Sequence, residues 1–271
     1  MDDIINLYLN ALLPLKWKSC QQRTPGAESC IDCFRRQYRD GNVISYRCEE
    51  KRKLYVLRYL PVHRQENRSA MELLPQESVD HWLKSGKVRV LSIGGGPGSD
   101  LSAVISFLSA CPDRPRFLNV EMTRMDIQPL WEDIAYDVIR RSANGVHFTL
   151  RKVQADVLDN WPLNENVQYD IITISYLISE IAHADFTRFA TQIRNHLAPW
   201  GALIINERPQ ESLQLSIDHV YATLGLHQYV MDHNKRQIEF RYPEEIRALI
   251  RPKTLMKSFT SVGINLPQRW P

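Results

Sequence analysis

From Lys87 onward the chain alternates between two periodicities. Short apolar runs with strand character fall at 88–93, 117–122, 147–153, 169–175 and 201–206. Between them, apolar positions recur every three to four residues over 99–110, 128–142 and 184–197, as on one face of a helix. Strands alternating with helices predict a parallel sheet covered on both faces. The last third departs from that rhythm. A helix is expected over 211–224, then strand-like runs at 226–231 and 237–241 joined by the turn-like Asp232-His233-Asn234-Lys235. These two runs read as a hairpin closing one edge of the sheet, and 244–250 as a further helix. Ahead of Lys87 the pattern is less regular. Ile5, Leu9, Leu12 and Leu13 have helical spacing that Pro14 closes. The runs 43–46 and 54–60 look β-like, and 70–85 reads as a helix stopped by Gly86. A boundary is expected between 70 and 86, giving a head over 1–75 and a sheet domain over 76–271. No internal repeat or low-complexity tract interrupts either part.

The most informative stretch is Val88-Arg89-Val90-Leu91-Ser92-Ile93-Gly94-Gly95-Gly96-Pro97-Gly98-Ser99-Asp100. An apolar strand ends in a glycine cluster, and a polar residue opens a helix. Glycine lets the backbone turn sharply and approach a ligand closely. The helix N-terminus adds amide donors and partial positive charge, so this is a nucleotide site in the making. Gly94, Gly96 and Gly98 spell G-x-G-x-G. The dehydrogenase pattern G-x-G-x-x-G would place its last glycine at Ser99.

Later residues refine this picture. Asp126 follows the second strand, and Asp156 follows the third. A carboxylate in the first position can accept from both ribose hydroxyls, and one in the second from an adenine amino group. Glu121 competes with Asp126 for the ribose role; Asp126 is preferred because it looks like the turn out of its strand. The run from Tyr169 to Glu180 is a buried strand leading into a polar loop, whose residues from Ser175 to Glu180 would border the pocket. Finally, Leu197-Ala198-Pro199-Trp200-Gly201 reads as a helix end and turn before an apolar strand.

With these features in place, residues 88–207 resemble the class I S-adenosylmethionine-dependent methyltransferases. The glycine-rich first loop, the acids after strands two and three, the Tyr169-Asp170 opening of strand four and the Pro199-Trp200-Gly201 turn before strand five all appear in order. The resemblance implies an α/β fold with a doubly wound, mostly parallel seven-stranded sheet and a terminal antiparallel hairpin. It implies that Gly94, Gly96 and Gly98 face the methionine and ribose moieties of the cofactor, that Asp126 holds the ribose and that Asp156 meets the adenine, with Ser175 at the pocket border. One departure is Ser92, where the family often has an acid. A sulfonium methyl is already activated, so a general base is needed only if the acceptor must lose a proton. Tyr176, Glu180 and His183 are candidates. Trp131 could cover the adenine or simply pack a helix.

Charge adds a second theme. The formal net charge is +3, and residues 86–271 balance 20 Lys/Arg against 20 Asp/Glu. The excess therefore lies in the head, where 14–68 hold 13 basic residues against 6 acidic. Aromatics interleave with them: Phe34, Arg35, Arg36, Tyr38, Arg39, then Tyr46, Arg47, Lys51, Arg52, Lys53, Tyr55. Such a surface suits RNA, with rings on bases and cations on phosphates; a solvated charged face is the plainer account. Cys20, Cys30, Cys33 and Cys48 have the spacing C-x9-C-x2-C-x14-C, which suits a structural zinc ion; buried thiols are the alternative. The first residues carry Asp2 and Asp3 and no early basic residue, and no apolar run is long enough for a membrane span, so a reducing intracellular compartment, cytoplasmic or nuclear, is expected. The expectation is thus a methyltransferase whose head presents RNA. A metabolite methyltransferase and a catalytically silent cofactor-binding scaffold stay open.

Overall fold

The computed structural model describes residues 1–12, 24–37 and 45–267. Seven strands make one sheet: β1 (Lys87–Ile93), β2 (Asn119–Asp126), β3 (His147–Gln154), β4 (Tyr169–Ser175), β5 (Leu197–Glu207), β6 (Gln228–Asp232) and β7 (Phe259–Ile264). Their order is β3-β2-β1-β4-β5-β7-β6. The first five run parallel, and β7 lies antiparallel to both β5 and β6. This is the doubly wound, mostly parallel seven-stranded sheet that the resemblance implied. The order reverses between β1 and β4, and that switch opens a crevice at the carboxyl edge of the sheet.

Side-chain alternation along the strands builds two cores. Leu91 and Ile93 of β1, with Ile172 and Ile174 of β4, face α7 (Phe186–His196) and α8 (Glu211–Leu224). Val88 and Val90 face the other way, toward α4 (Gln76–Lys84) and α5 (Ser99–Ala110). Strands buried on both faces read as continuous apolar runs, which is why these two were legible. β2 continues to Asp126, past the expected end at 122. Its polar Thr123 and Arg124 hide a stretch that pairs with β1 on one side and β3 on the other.

Three expectations need correction. The partner of β6 is β7, not 237–241, where Gln237 forms only an isolated bridge with Leu255. Thr260, Ser261 and Gly263 make β7 look like a loop. All three are buried: Ser261 and Gly263 meet Tyr221, where a Cβ on Gly263 would stand 2.5 Å from a ring carbon, and Thr260 bonds Asn206 and His233. The run 54–60 is not β-like but lies within the 22-residue helix α3 (Glu49–Ala70). A short apolar run does not declare its period, and the ion pair of Lys53 with Glu49 one turn earlier favours helix. The helix expected over 70–85 is divided, with α3 ending at Ala70 and α4 starting at Gln76 behind Pro75.

The N-terminal elements share a core with the sheet domain. Ile4, Ile5 and Tyr8 of α1 (Asp2–Leu12), Phe34 of α2 (Cys30–Arg36) and Leu57 of α3 form one apolar cluster with Val138 of α6 (Glu132–Ser142) and Ile246 of α9 (Glu244–Ile250). Among the described residues, no helix is long and apolar enough to cross a membrane. Truncating the fully buried Leu57 to alanine is expected to cost about 2–5 kcal/mol in urea unfolding, with a single transition retained. Two separated transitions in that experiment would contradict a shared core.

Candidate functional site

The crevice is built from the turn after β1. The amides of Gly94 and Gly95 both donate to the carbonyl of Met125, at 2.8 and 3.3 Å, so the turn folds over the end of β2. Gly94, Gly96 and Gly98 all have positive φ, a backbone open to glycine at little cost. Their surroundings differ. A Cβ on Gly96 would meet nothing nearer than the Gly94 carbonyl at 4.0 Å, so Gly96 borders open space. A Cβ on Gly98 would touch Ala135 and Ile139 of α6, so Gly98 permits close helix packing. Leu177 closes over Gly94. Gly95 has no room at all: a Cβ there would lie 2.4 Å from Ser92 Oγ and 2.7 Å from Arg124 Cγ.

Beneath the turn lies a polar knot that the chain's pattern did not announce. Ser92 Oγ and Thr173 Oγ1 both donate to Asp100 Oδ2, at 2.5 and 2.7 Å. Asp100 is fully buried, and burial raises its carboxyl while the two hydroxyls hold it down. Ser92 thus reaches the acid of the next helix, and β1, β4 and α5 are joined there. Arg124 is buried beside this knot. Its Nη1 donates to the Gly96 carbonyl at 3.3 Å and lies 3.5 Å from Asp126 Oδ2.

Asp126 ends β2 with its carboxylate against the glycine turn. Gly96 N–H donates to Oδ2 and Gln128 N–H to Oδ1, each at 2.7 Å. Burial raises the Asp126 carboxyl, opposed by the Arg124 guanidinium and the two amides. Glu121 sits mid-strand, paired with Lys87 and Arg89, away from the carboxyl edge. Asp156 follows β3 in an exposed turn, where it accepts from the Leu158 amide at 2.9 Å. The Ala155 amide donates to the Asp126 carbonyl at 3.3 Å, which brings the two acids to the same edge.

The loop after β4 forms the opposite wall. Tyr176 holds a positive φ of 57°, and its amide donates to the Asn206 carbonyl. Its hydroxyl donates to Glu66 Oε2 at 2.9 Å, and its ring stacks on His63 at 4.1 Å. Burial and Glu66 push the phenol well above its ordinary value, so Tyr176 ties the loop to α3. Ser175 does the same, accepting from Asn67 Nδ2 at 3.1 Å. Glu207 at the end of β5 accepts from the Ser179 amide at 2.9 Å. Glu180 is exposed. The protein around it, with the nearby Asp126 and Glu207 carboxylates, pushes its carboxyl up to about 7. His183 is exposed. Glu66, Asp100 and Arg124 were missed from the sequence because each is buried by elements distant in the chain, and no local pattern marks it off from its polar neighbours.

The described residues of the head contribute packing. Among the described residues, no group of three or more His, Cys, Asp or Glu side chains is placed to hold a metal ion, so Cys30, Cys33 and Cys48 do not converge on one; Cys20 lies outside the described residues. Cys30 and Phe34 are core residues, and Cys33 Sγ accepts from the Thr24 amide. Trp131 is buried against Tyr46 and Tyr55, at 4.9 and 5.5 Å, which accounts for it by packing. Tyr38 and Arg39 lie outside the described residues.

The strand order and the antiparallel β7 are those that the resemblance implied. No protein-family model and no curated protein matches the chain. Solved structures similar to it include an N-methyltransferase, NodS, from Bradyrhizobium japonicum WM9, 14% identical, with a TM-score of 0.45 over 76% of this chain and 98% of that one. A precorrin-6y C5,15-methyltransferase from Geobacter metallireducens GS-15 is 12% identical, with a TM-score of 0.46 over 75% and 87% of the two chains. A SAM-dependent O-methyltransferase from Thermotoga maritima is 11% identical, with a TM-score of 0.44 over 73% and 67%.

The crevice fits an adenosyl cofactor on its own terms. Gly96 leaves space where a side chain would project, a carboxylate stands at the end of β2, and the α5 N-terminus lies beside them. The raised Glu180 carboxyl has a consequence for stability. Its protonated form favours the folded state, fully below pH 4.5, and this contribution is lost as pH rises through about 7. Glu180→Gln is therefore expected to gain in stability relative to the parent chain between pH 5 and pH 8, read as urea midpoints. Equal differences at both pH values would contradict the raised carboxyl.

Proposed function

We propose that this chain transfers a methyl group from S-adenosylmethionine to RNA, with the N-terminal head presenting the acceptor. The observation that carries the transfer reading is the Gly96 amide fastened to Asp126 beside open space at the switch point of the sheet. The RNA reading draws on the basic excess of 14–68. When bound, the cofactor supplies a sulfonium methyl that departs by in-line displacement.

The chain's own residues do the rest. Asp126 keeps lone pairs beyond those used by Gly96 and Gln128, and these accept from the ribose hydroxyls. Asp156, at the same edge, accepts from the adenine amino group. Tyr176, Ser175 and Glu207 hold the loop after β4 against α3 and β5, which fixes where the acceptor approaches. Glu180, with a carboxyl near 7, takes a proton from the acceptor during transfer.

Gly96→Arg fills the open space and is expected to abolish calorimetric binding of S-adenosylhomocysteine while cooperative unfolding persists; unaltered binding would refute the site. With labelled cofactor offered total RNA, total protein and a metabolite extract in parallel, label is expected in RNA. Label confined to another fraction would overturn the RNA acceptor, and label in none would favour a silent scaffold. Glu180→Gln is expected to lower turnover by about 100-fold, with cofactor affinity unchanged. Full turnover in that variant would make Glu180 a bystander.

A further inference from the structure

Four cations crowd the acceptor side of the crevice. Arg58 lies on α3, Arg208 follows β5, and Lys253 and Lys257 lie between α9 and β7. The Arg58 guanidinium carbon stands 5.4 Å from the Tyr59 ring centroid, and Lys253 Nζ stands 4.9 Å from it. The Lys253 amide donates to the Arg58 carbonyl at 3.0 Å, which pins the two segments together at that ring. Tyr59 stacks on His63, and His63 on Tyr176, so the cluster sits over the start of the loop that leads to Glu180. Arg208 reaches the same place from the sheet. Its charge acts on His63, Lys253 and Glu180.

Like charges held together repel; Arg208, Lys253 and Lys257 are exposed, so solvent screens part of the repulsion, and a bound counter-charge would offset the rest. Burial lowers Lys253 from its ordinary value; Glu66 opposes this, and Arg208, Arg58 and Lys257 add to it. Glu66 is itself committed to the Tyr176 hydroxyl, the Asn206 amide group and the Lys257 backbone amide. Among the described residues, ion pairs with carboxylates form elsewhere on the chain, and none involves these four cations. Arg58 Nε is buried without an acceptor. Local conflict of this kind, kept beside a crevice, marks a place made for a ligand of opposite charge.

We propose that Arg58, Arg208 and Lys253, with Lys257 at the rim, form a seat for a phosphate ester of the methyl acceptor, beside Glu180 and apart from the donor's own contacts. The word acceptor rests on the methyl-transfer reading; the binding of phosphate does not. The two guanidinium groups offer planar forks that match phosphate oxygens, and the Lys253 ammonium adds a point charge. Two of these cations, Arg58 and Lys253, lie against the same Tyr59 ring. A phosphate ester reaches such a seat either in an RNA strand or in a small phosphorylated molecule, and the test separates the two.

The full chain is titrated with a short fluorescein-labelled single-stranded RNA at several salt concentrations, and with a nucleoside monophosphate as competitor. Lys253→Gln and Arg58→Gln are each expected to weaken RNA binding and to reduce the slope of log K against log salt by about 1. Lys253→Glu is expected to weaken it further, and the glutamine variants serve if charge reversal disturbs folding. RNA binding that the monophosphate does not displace assigns the seat to a strand. Monophosphate binding with the same sensitivity to Lys253 and Arg58 assigns it to a small phosphorylated acceptor. Absence of binding by either probe, or affinities and slopes unmoved by all three variants, overturns the seat. Calorimetry with S-adenosylhomocysteine runs in parallel. Failure there, with variant-sensitive phosphate binding intact, removes the methyl-transfer reading and leaves the seat standing.

Discussion

One hydrogen bond organises this molecule's chemistry: the amide of Gly96 donating to the carboxylate of Asp126. It ties the turn after β1 to the end of β2 and so fixes the floor of the crevice. The bond forms only because the turn can lie flat on its neighbours. Gly94 and Gly95 donate to the strand beside them, and Gly95 has no space for a side chain above Ser92 and Arg124. Asp100 secures the same turn from below by accepting from Ser92 on β1 and Thr173 on β4. Two buried carboxylates therefore hold one loop, each raised by burial and held down by its hydrogen bonds. Such groups are tolerated where their lone pairs are satisfied and where the geometry they impose is used.

The second constraint is α3. This helix carries His63, Glu66 and Asn67 to the ends of β4 and β5, where they meet Tyr176, Asn206 and Ser175. The loop after β4 is thereby held in a backbone shape that includes a positive φ at Tyr176. An element belonging to the N-terminal part of the chain thus sets one wall of the crevice. Its apolar face is continuous with α6 and α9, so the wall of the crevice and the core of the head are one structure.

How much of this was legible in the sequence follows from burial and period. Strands β1 and β4 are buried on both faces and read directly as apolar runs. The glycine cluster and Asp126 were legible because strand, turn and acid follow one another within one unit. β7 was not, since its glycine packs under the Tyr221 ring, its threonine and serine are buried in hydrogen bonds, and all three carry little apolar signal. α3 was misread because 54–60 fits either period, and only pairing across a turn reveals the helix. Tyr176 was expected as a candidate base; its hydroxyl is committed to Glu66, 110 residues earlier in the chain, a contact no local pattern announces. The same holds for Asp100 and Arg124, whose importance depends on what the fold brings above them.

The most direct test of the central claim is a crystal structure of the full chain with S-adenosylhomocysteine. The ribose hydroxyls are expected on Asp126, the adenine beside Asp156 and the amino-acid portion along Gly94 and Gly96. A crevice that stays empty under saturating ligand, or that holds a nicotinamide or a triphosphate instead, would contradict it.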